Sequence, residues 1–284
     1  MLPGMSLYRL EDAPEVVAPT LIVAFDGWVD AGQASTTAAA RLVEGAELVA
    51  TFDADELFDY RARRPTLEIL DGKPASLTWP ELTVRRAHGG DGRDVLVLAG
   101  PEPDYRWREL ADAAVELGRR FGVVEWISLG AIPAAVPHTR PVPILGTSSR
   151  PGLLRGDVQP GPAGMLRVPS AAISVLDLAV SGAGIAAIGY YAQVPHYVAG
   201  PYPAAAIELL RAVGRHIGRE PALGSLPEEA RELAARLDAA AVVDQSTRAY
   251  VERLEAMVDE ARLPSGDELI SEIERFLREG EQRT

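Results

Sequence analysis

The sequence predicts an α/β protein with a mostly parallel central sheet flanked by helices, followed by a helical C-terminal extension. Strand-like and helix-like segments alternate over the first 218 residues, which is the pattern of parallel strands joined by helices. The chain has 284 residues, of which 47% are apolar, so it can bury a sizeable core. From residue 219 onward no strand is predicted. We therefore divide the chain into a core domain, residues 1–218, and an acidic helical extension, residues 219–284.

The first half of the core is predicted to alternate a buried strand, a helix and a second strand. Asp30 can cap the helix, because a carboxylate accepts backbone N–H groups of a first turn, and the Ala-rich face that follows can pack closely on a sheet. After the second strand helical periodicity is lost, and two runs are predicted to be strands of a hairpin or a sheet extension. In order, these elements are strand 21–26, helix 30–43, strand 47–52 and strands 66–70 and 82–88.

The second half of the core repeats the alternation. Residues 94–99 form a continuous apolar run, which is typical of a central strand buried on both faces. A helix ends near Gly182, and Gly184 and Ala187 complete a Gly-x-Gly-x-x-Ala match to the dinucleotide-binding pattern. That pattern must follow a strand and open a helix, whereas here the order is reversed, so we interpret it as a helix stop and a tight turn. The remaining elements are helix 104–121, strand 124–129, helix 170–181, strand 185–191 and helix 202–217.

The extension is predicted to form three helices, over residues 227–237, 242–260 and 266–279. It carries 16 acidic and nine basic residues, so seven of the chain's 13 net negative charges lie in its last quarter. Apolar residues recur at three-to-four spacing in these helices. We therefore expect the extension to fold back on its own domain or on a neighbouring subunit, and a separate binding arm is the alternative.

Composition excludes several classes of protein. A net charge of −13 argues against nucleic acid or an anionic membrane as a partner, because both would repel such a surface. The absence of cysteine excludes disulfides, thiolate nucleophiles and cysteine-bound zinc. The start of the sequence lacks the pattern of a secretory leader, and no apolar run approaches the ~20 residues of a membrane span. We therefore expect a cytoplasmic protein.

Motifs for catalysis, cofactors and metals are missing from the sequence. There is no Gly-x-Ser-x-Gly elbow, and Lys73 is the only lysine, so no phosphate-binding loop of the usual kind is present. No two histidines lie three or four residues apart. An acidic cluster around Asp55 lacks the spacing of a calcium loop, so we interpret it as a solvated turn and helix start. We predict no catalytic residue, no cofactor and no metal.

What remains is a set of polar and aromatic side chains at strand ends. Two stretches end alike, in Val136-Pro137-His138 and Val194-Pro195-His196, so we expect both histidines at equivalent places beyond buried strands. The carboxyl ends of parallel strands meet at one edge of a sheet, where open α/β sheets bind ligands. A carboxylate, an arginine and two imidazoles at that edge could bind an anion or perform acid–base chemistry. The candidate ligand-binding residues are Asp26, Trp28, Asp30, His138, Arg140, His196 and Tyr197.

A structural interpretation of the same residues stays open. In it, Asp30 caps a helix, Arg140 neutralises Asp26 or Asp30, and the histidines anchor Pro-rich turns by hydrogen bonds. Neither interpretation supplies an activated nucleophile.

Several short motifs, spaced along the chain, combine aromatic residues, proline and charge. They are Gly27-Trp28-Val29-Asp30-Ala31-Gly32, Asp59-Tyr60-Arg61 with Arg64-Pro65, Trp79-Pro80, Pro103-Asp104-Tyr105-Arg106-Trp107, Pro137-His138-Thr139-Arg140-Pro141-Val142-Pro143 with Gly146-Thr147, and Val194-Pro195-His196-Tyr197-Val198. In this order the motifs resemble the PAC2 family, in its actinobacterial form, from about residue 20 into the extension. The resemblance implies an α/β fold like that of the phosphorylase/hydrolase group, a homo-oligomer with three subunits as the expected number, and kinship to the proteasome assembly chaperones of eukaryotes and archaea.

From the resemblance we expect a non-catalytic, homo-oligomeric protein that assists the assembly of proteasomes or of another complex. Its partners would be itself and proteasome subunits or another protein complex. Two alternatives stay open: a small-molecule binding protein or hydrolase that uses the strand-end residues, and an ATP-grasp-type ligase, which the missing nucleotide loop disfavours. Some family chaperones dock through a C-terminal tripeptide with a penultimate tyrosine. Gln282-Arg283-Thr284 does not match it, so we do not expect that docking route.

Overall fold

A computed structural model of the chain describes residues 6–11, 16, 19–88, 93–161 and 164–261. Its strands and helices largely follow the predicted alternation. The strands are β1 Tyr8–Leu10, β2 Thr20–Phe25, β3 Glu47–Phe52, β4 Thr66–Leu70, β5 Lys73–Thr78, β6 Thr83–His88, β7 Asp94–Gly100, β8 Glu125–Ala134, β9 Ile144–Ser148, β10 Gln159–Pro160 and β11 Ala186–Pro195. The helices are α1 Ala34–Leu42, α2 Ala54–Leu57, α3 Trp107–Arg120, α4 Ala172–Gly182, α5 Pro203–Ile217, α6 Leu226–Val243 and α7 Gln245–Ala261, with a short 3₁₀ turn at Ala31–Gln33 before α1.

The main sheet has nine strands in the order β1-β3-β6-β7-β2-β8-β11-β9-β10, and it is mixed. Its centre, β7-β2-β8-β11, is parallel, whereas β1, β3 and β6 on one side and β9 on the other pair antiparallel. The prediction of a mostly parallel sheet is therefore wrong for the flanks. A parallel pair needs a crossover of about a dozen residues or more, but only residues 89–93 connect β6 to β7. With so short a connection β6 turns back, and it pairs antiparallel with β7.

Two hydrophobic layers cover the parallel centre, one on each face. Because side chains alternate along a strand, Trp126 of β8 packs on the α3 and α4 side and Ile127 on the α1 and α5 side. The Ala-rich face of α1, including Ala34 and Ala38, lies fully buried against the sheet. Small side chains allow this close approach, as the sequence predicted.

The helical segments after the core begin close to their predicted starts. Leu226 of α6 is buried in the layer that α5 also covers, and α7 buries Val251 and Leu254. The third predicted helix, 266–279, lies outside the described residues. In the part of the chain that the structure covers, no helix has the length and apolar content to cross a membrane.

The turn chemistry around α4 is as predicted. The helix ends at Gly182, and Gly184 takes a positive φ of 89° before the chain enters β11. Such a φ favours glycine. The Gly-x-Gly-x-x-Ala match is therefore a helix stop and turn, and not a dinucleotide-binding loop.

Strands β4 and β5 form a separate two-stranded hairpin. The turn residues Asp71 and Gly72 both have positive φ, 50° and 77°, which is the signature of a type I′ hairpin turn. All residues of both strands are exposed. Residues 66–70 and 82–88 are both strands, one in the hairpin and the other, as β6, inside the main sheet between β3 and β7.

Candidate functional site

Asp30 follows β2 and is buried, with 8% of its surface exposed. Its Oδ1 accepts the backbone N–H of Ser35 at 2.8 Å and the Ser35 hydroxyl at 2.6 Å, and its Oδ2 accepts the Thr36 hydroxyl at 2.5 Å. The carboxylate thus satisfies the free N–H groups of the first turn of α1 and lies at the positive end of the helix dipole. This is the predicted capping role, and it occupies both carboxylate oxygens.

Asp26 and Trp28 lie nearer the surface, in the same loop. Asp26 pairs with Arg63 at 2.7 Å and accepts the backbone N–H of Glu102 at 2.9 Å. The Glu102 carboxylate in turn accepts the backbone N–H of Trp28 and that of Ala172, at the start of α4. The Trp28 ring is 67% exposed. Arg63, which sequence analysis did not select, therefore neutralises Asp26, and the predicted pairing with Arg140 is wrong.

His138 and Tyr197 form one hydrogen-bonded unit beyond β8 and β11. The Tyr197 hydroxyl lies 2.7 Å from His138 Nδ1 and accepts the His138 backbone N–H at 2.8 Å. The other ring nitrogen of His138 lies 3.2 Å from a carboxylate oxygen of Asp238 in α6. The His138 side chain is only 2% exposed. Burial raises the pKa of Tyr197 above its usual value, so the hydroxyl stays protonated at neutral pH.

His196 connects the turn after β11 to β8 and to α7 through contacts of its ring nitrogens. Its Nδ1 lies 3.0 Å from the carbonyl oxygen of Ala134, which also accepts the His196 backbone N–H. Its Nε2 lies 3.0 Å from the hydroxyl of Tyr250 in α7. Both ring nitrogens thus have partners within the chain, and this is the arrangement expected of a histidine that anchors a turn.

Arg140 binds the last described helix. Its guanidinium makes two hydrogen bonds to Asp259, at 2.9 and 2.7 Å, and a third to Glu255 at 3.3 Å. Glu255 also accepts the hydroxyl of Thr139. The hydrogen bond to Asp259 raises the pKa of Arg140 above its usual value, so the guanidinium stays charged. Glu255 and Asp259 of the extension thus have partners at the strand ends.

The two Val-Pro-His endings are not equivalent in the sheet. Ten residue pairs align β8 with β11, from Glu125 with Ala186 to Ala134 with Pro195. His196 therefore directly follows the last pair, whereas His138 comes four residues after Ala134. The two motifs are alike in sequence but do not lie opposite each other in the sheet. Pro195 pairs with Ala134, three residues before Pro137, which is its counterpart in the other motif.

The strand-end residues share one edge of the sheet but form two contact networks. One joins Asp26 and Trp28 to Arg63 and Glu102, and the other joins the side chains after β8 and β11 to α6 and α7. Among the described residues, no hydrogen bond or ion pair connects the two networks. Trp28 is the candidate side chain that remains largely free to contact another molecule.

Asp177, on the face of α4 that meets the sheet, is not among the residues predicted from the sequence. Its Oδ1 accepts the indole N–H of Trp126 at 2.9 Å and the hydroxyl of Ser128. Burial raises the pKa of Asp177 from 3.8 to about 6, although both hydrogen bonds act in the opposite direction. The available signal was a single acid in the helix Ala172–Gly182, whose other side chains are apolar apart from two serines. A perturbed carboxylate of this kind marks a candidate binding site.

Two glycines in the central strands accommodate one tyrosine ring near Asp177. A Cβ on Gly130 would lie 2.5 Å from a ring carbon of Tyr191, and one on Gly189 would lie 2.7 Å from another. Burial, and then the charge of Asp177, raises the pKa of Tyr191. The ring therefore lies across β8 and β11 where any larger residue at either glycine would displace it.

A family model described as the PAC2 family matches residues 24–241. Among solved structures, a Corynebacterium glutamicum protein of unknown function is 34% identical, with a TM-score of 0.84, over 90% of this chain and 98% of that one. A Mycobacterium tuberculosis protein of unknown function is 35% identical, with a TM-score of 0.83, over 91% and 93%. A second protein from that organism, a proteasome-assembly chaperone homologue, is 33% identical, with a TM-score of 0.74, over 82% and 99%. No curated protein matches the sequence.

Proposed function

Since this chain belongs to the PAC2 family, we propose that it acts as a self-associating assembly chaperone and not as a catalyst. The proposal is supported by the 33% identity to a proteasome-assembly chaperone homologue, which covers 82% of this chain and 99% of that one. It is also supported by the strand-end residues, whose polar atoms are mostly engaged within the chain. Proteasome subunits are the proposed cargo, and the proposed place of action is the cytoplasm.

The observation that carries the proposal is the exposed hairpin β4–β5. Leu67 lies opposite Leu77, and Ile69 follows two residues on, so these three side chains share one face. They are 49%, 47% and 63% exposed. On the other face the Ser76 hydroxyl donates to Glu68 at 2.5 Å. That face is polar except for Leu70, which lies next to the turn and is 68% exposed. The hairpin is thus amphipathic, although the described chain covers neither face.

An amphipathic hairpin of this kind needs a partner. An isolated two-stranded hairpin is only marginally stable in water, and an exposed apolar strand face invites aggregation. Covering the apolar face with a second copy of the chain would remove both problems at once. Full burial of a Leu or Ile side chain contributes about 1.5–3 kcal/mol, so two such side chains can strengthen association by ~100-fold or more.

The self-association is tested by light scattering after size-exclusion chromatography. We expect the wild type to elute at a multiple of 30.4 kDa and the double variant Leu67→Ser/Ile69→Ser to elute as a single chain. The matched control is Thr66→Ser/Thr78→Ser, on the polar face, which should keep the wild-type mass. A monomeric wild type, or equal masses for both variants, would refute the role of the hairpin.

The chaperone activity is tested by co-expression with the α and β subunits of the proteasome from the same source. We expect the wild type to raise the yield of assembled rings and to bind an assembly intermediate stably. Absence of both effects, from a protein that self-associates normally, would refute the chaperone proposal and leave the self-association intact.

A further inference from the structure

A cavity of about 190 Å³ lies between α4 and the β9–β11 edge of the sheet. That volume is large enough for several water molecules or for a small ligand. Its walls combine apolar groups with hydroxyls and a single carboxylate. They include Asp177, Leu178, Ser181, Thr147 and Gly189.

Only one of the two carboxylate oxygens of Asp177 accepts hydrogen bonds from the described residues. Trp126 and Ser128 both donate to Oδ1. Among the residues that the structure describes, none donates a hydrogen bond to Oδ2, and no arginine, lysine or histidine pairs with the group. Since Asp177 lines the cavity, this second oxygen is the acceptor available there.

The carboxylate is charged at neutral pH in spite of its burial. Its pKa of about 6 lies below 7, so most molecules carry the negative charge. A partly buried charge without a counter-ion is unfavourable, and a cation placed in the cavity would relieve that cost. The electrostatics therefore favour a positive ligand.

The residues that line the cavity favour an organic cation over a metal ion. A hard metal ion needs several oxygen or nitrogen ligands, and the described residues contain no group of three or more acidic or histidine side chains suited to a metal. Leu178 and Ala187, with the bare backbone of Gly189, give the cavity apolar walls, which suit the carbon atoms of an organic group.

We propose that this cavity binds a guanidinium or ammonium group, with Asp177 Oδ2 as its acceptor and the surrounding hydroxyls completing its hydrogen bonds. The group can belong to a free metabolite or to a basic side chain of a bound protein. The site is independent of the hairpin, so its test does not depend on the chaperone proposal.

The test is a titration of the ¹⁵N-labelled protein with methylguanidinium chloride up to about 50 mM, followed by amide chemical shifts. We expect saturable shifts at Leu178, Ser181 and Gly189, and affinity at least ~10-fold weaker for methylurea, which has the same shape without the charge. Asp177→Asn should weaken methylguanidinium binding to the same extent. The matched control, Asp112→Asn, changes an exposed carboxylate of α3 and should bind as the wild type does.

Two further measurements complete the test. Wild-type affinity should fall as the pH drops through about 6, where Asp177 becomes protonated. Binding of an end-blocked Gly-Arg-Gly peptide would indicate a protein side chain as the occupant, and binding of methylguanidinium alone would indicate a free molecule. Equal binding of methylurea, equal binding by Asp177→Asn, or no saturable shift at these three amides would overturn the proposal.

Discussion

Replacing Asp177 with asparagine should stabilise the protein at neutral pH. Asparagine keeps an oxygen that can accept from Trp126 and Ser128, but it removes the charge that burial disfavours. The pKa of Asp177 rises from 3.8 to about 6, roughly two units at ~1.4 kcal/mol each. The expected gain in the free energy of unfolding at pH 7.5 is therefore up to about 3 kcal/mol.

The pH dependence gives the sign of the effect. The folded state holds the Asp177 proton more tightly than the unfolded state does, so wild-type stability falls as the pH rises from about 4 through about 6. Asparagine does not titrate, and its advantage should vanish near pH 4. Urea unfolding at pH 4.5, 6 and 7.5 measures this difference, with Asp112→Asn as the control. An equal gain at all three values, or a loss at pH 7.5, would refute the reasoning.

Three further substitutions test contacts at the strand ends and in the sheet. Arg140→Gln should speed hydrogen exchange of α7 while costing only about 1 kcal/mol of global stability, because its ion pairs are partly exposed. His196→Ala should lower the melting temperature, since it removes ring contacts worth about 1–3 kcal/mol, and an unchanged melting temperature would contradict the anchoring role. Gly130→Ala should destabilise by about 1–3 kcal/mol, as measured by urea unfolding, because its Cβ meets the ring of Tyr191. Gly182→Ala, where a Cβ meets nothing within 4 Å, should be nearly neutral.

Local signals predicted the elements that depend on local chemistry. The capping carboxylate of Asp30 and the turn at Gly184 were both predicted from single residues, because each acts within a few positions of the chain. The Asp71-Gly72 pair is typical of a hairpin turn and was a usable signal, although Pro74 in the following strand is an unusual residue there.

Contacts between distant segments could not be predicted in the same way. Arg140 and Asp259 are 119 residues apart, and no spacing rule connects them. The three-residue offset between the two Val-Pro-His endings depends on how β8 pairs with β11, which repeated motifs do not determine. Asp177 lies between these two situations. A lone acid on a largely apolar helix indicates an unusual environment, but the sequence does not show which residues surround it.

The contacts between α7 and the strand ends also set an order of events during synthesis. Arg140 and His196 leave the ribosome well before their partners Asp259 and Tyr250, yet the β8–β11 pairing that positions them needs no residue of α7. Domains fold largely as their chain emerges, at about 5–20 residues per second. For several seconds, therefore, Arg140 and His196 of the nascent chain lack the partners that α7 later provides.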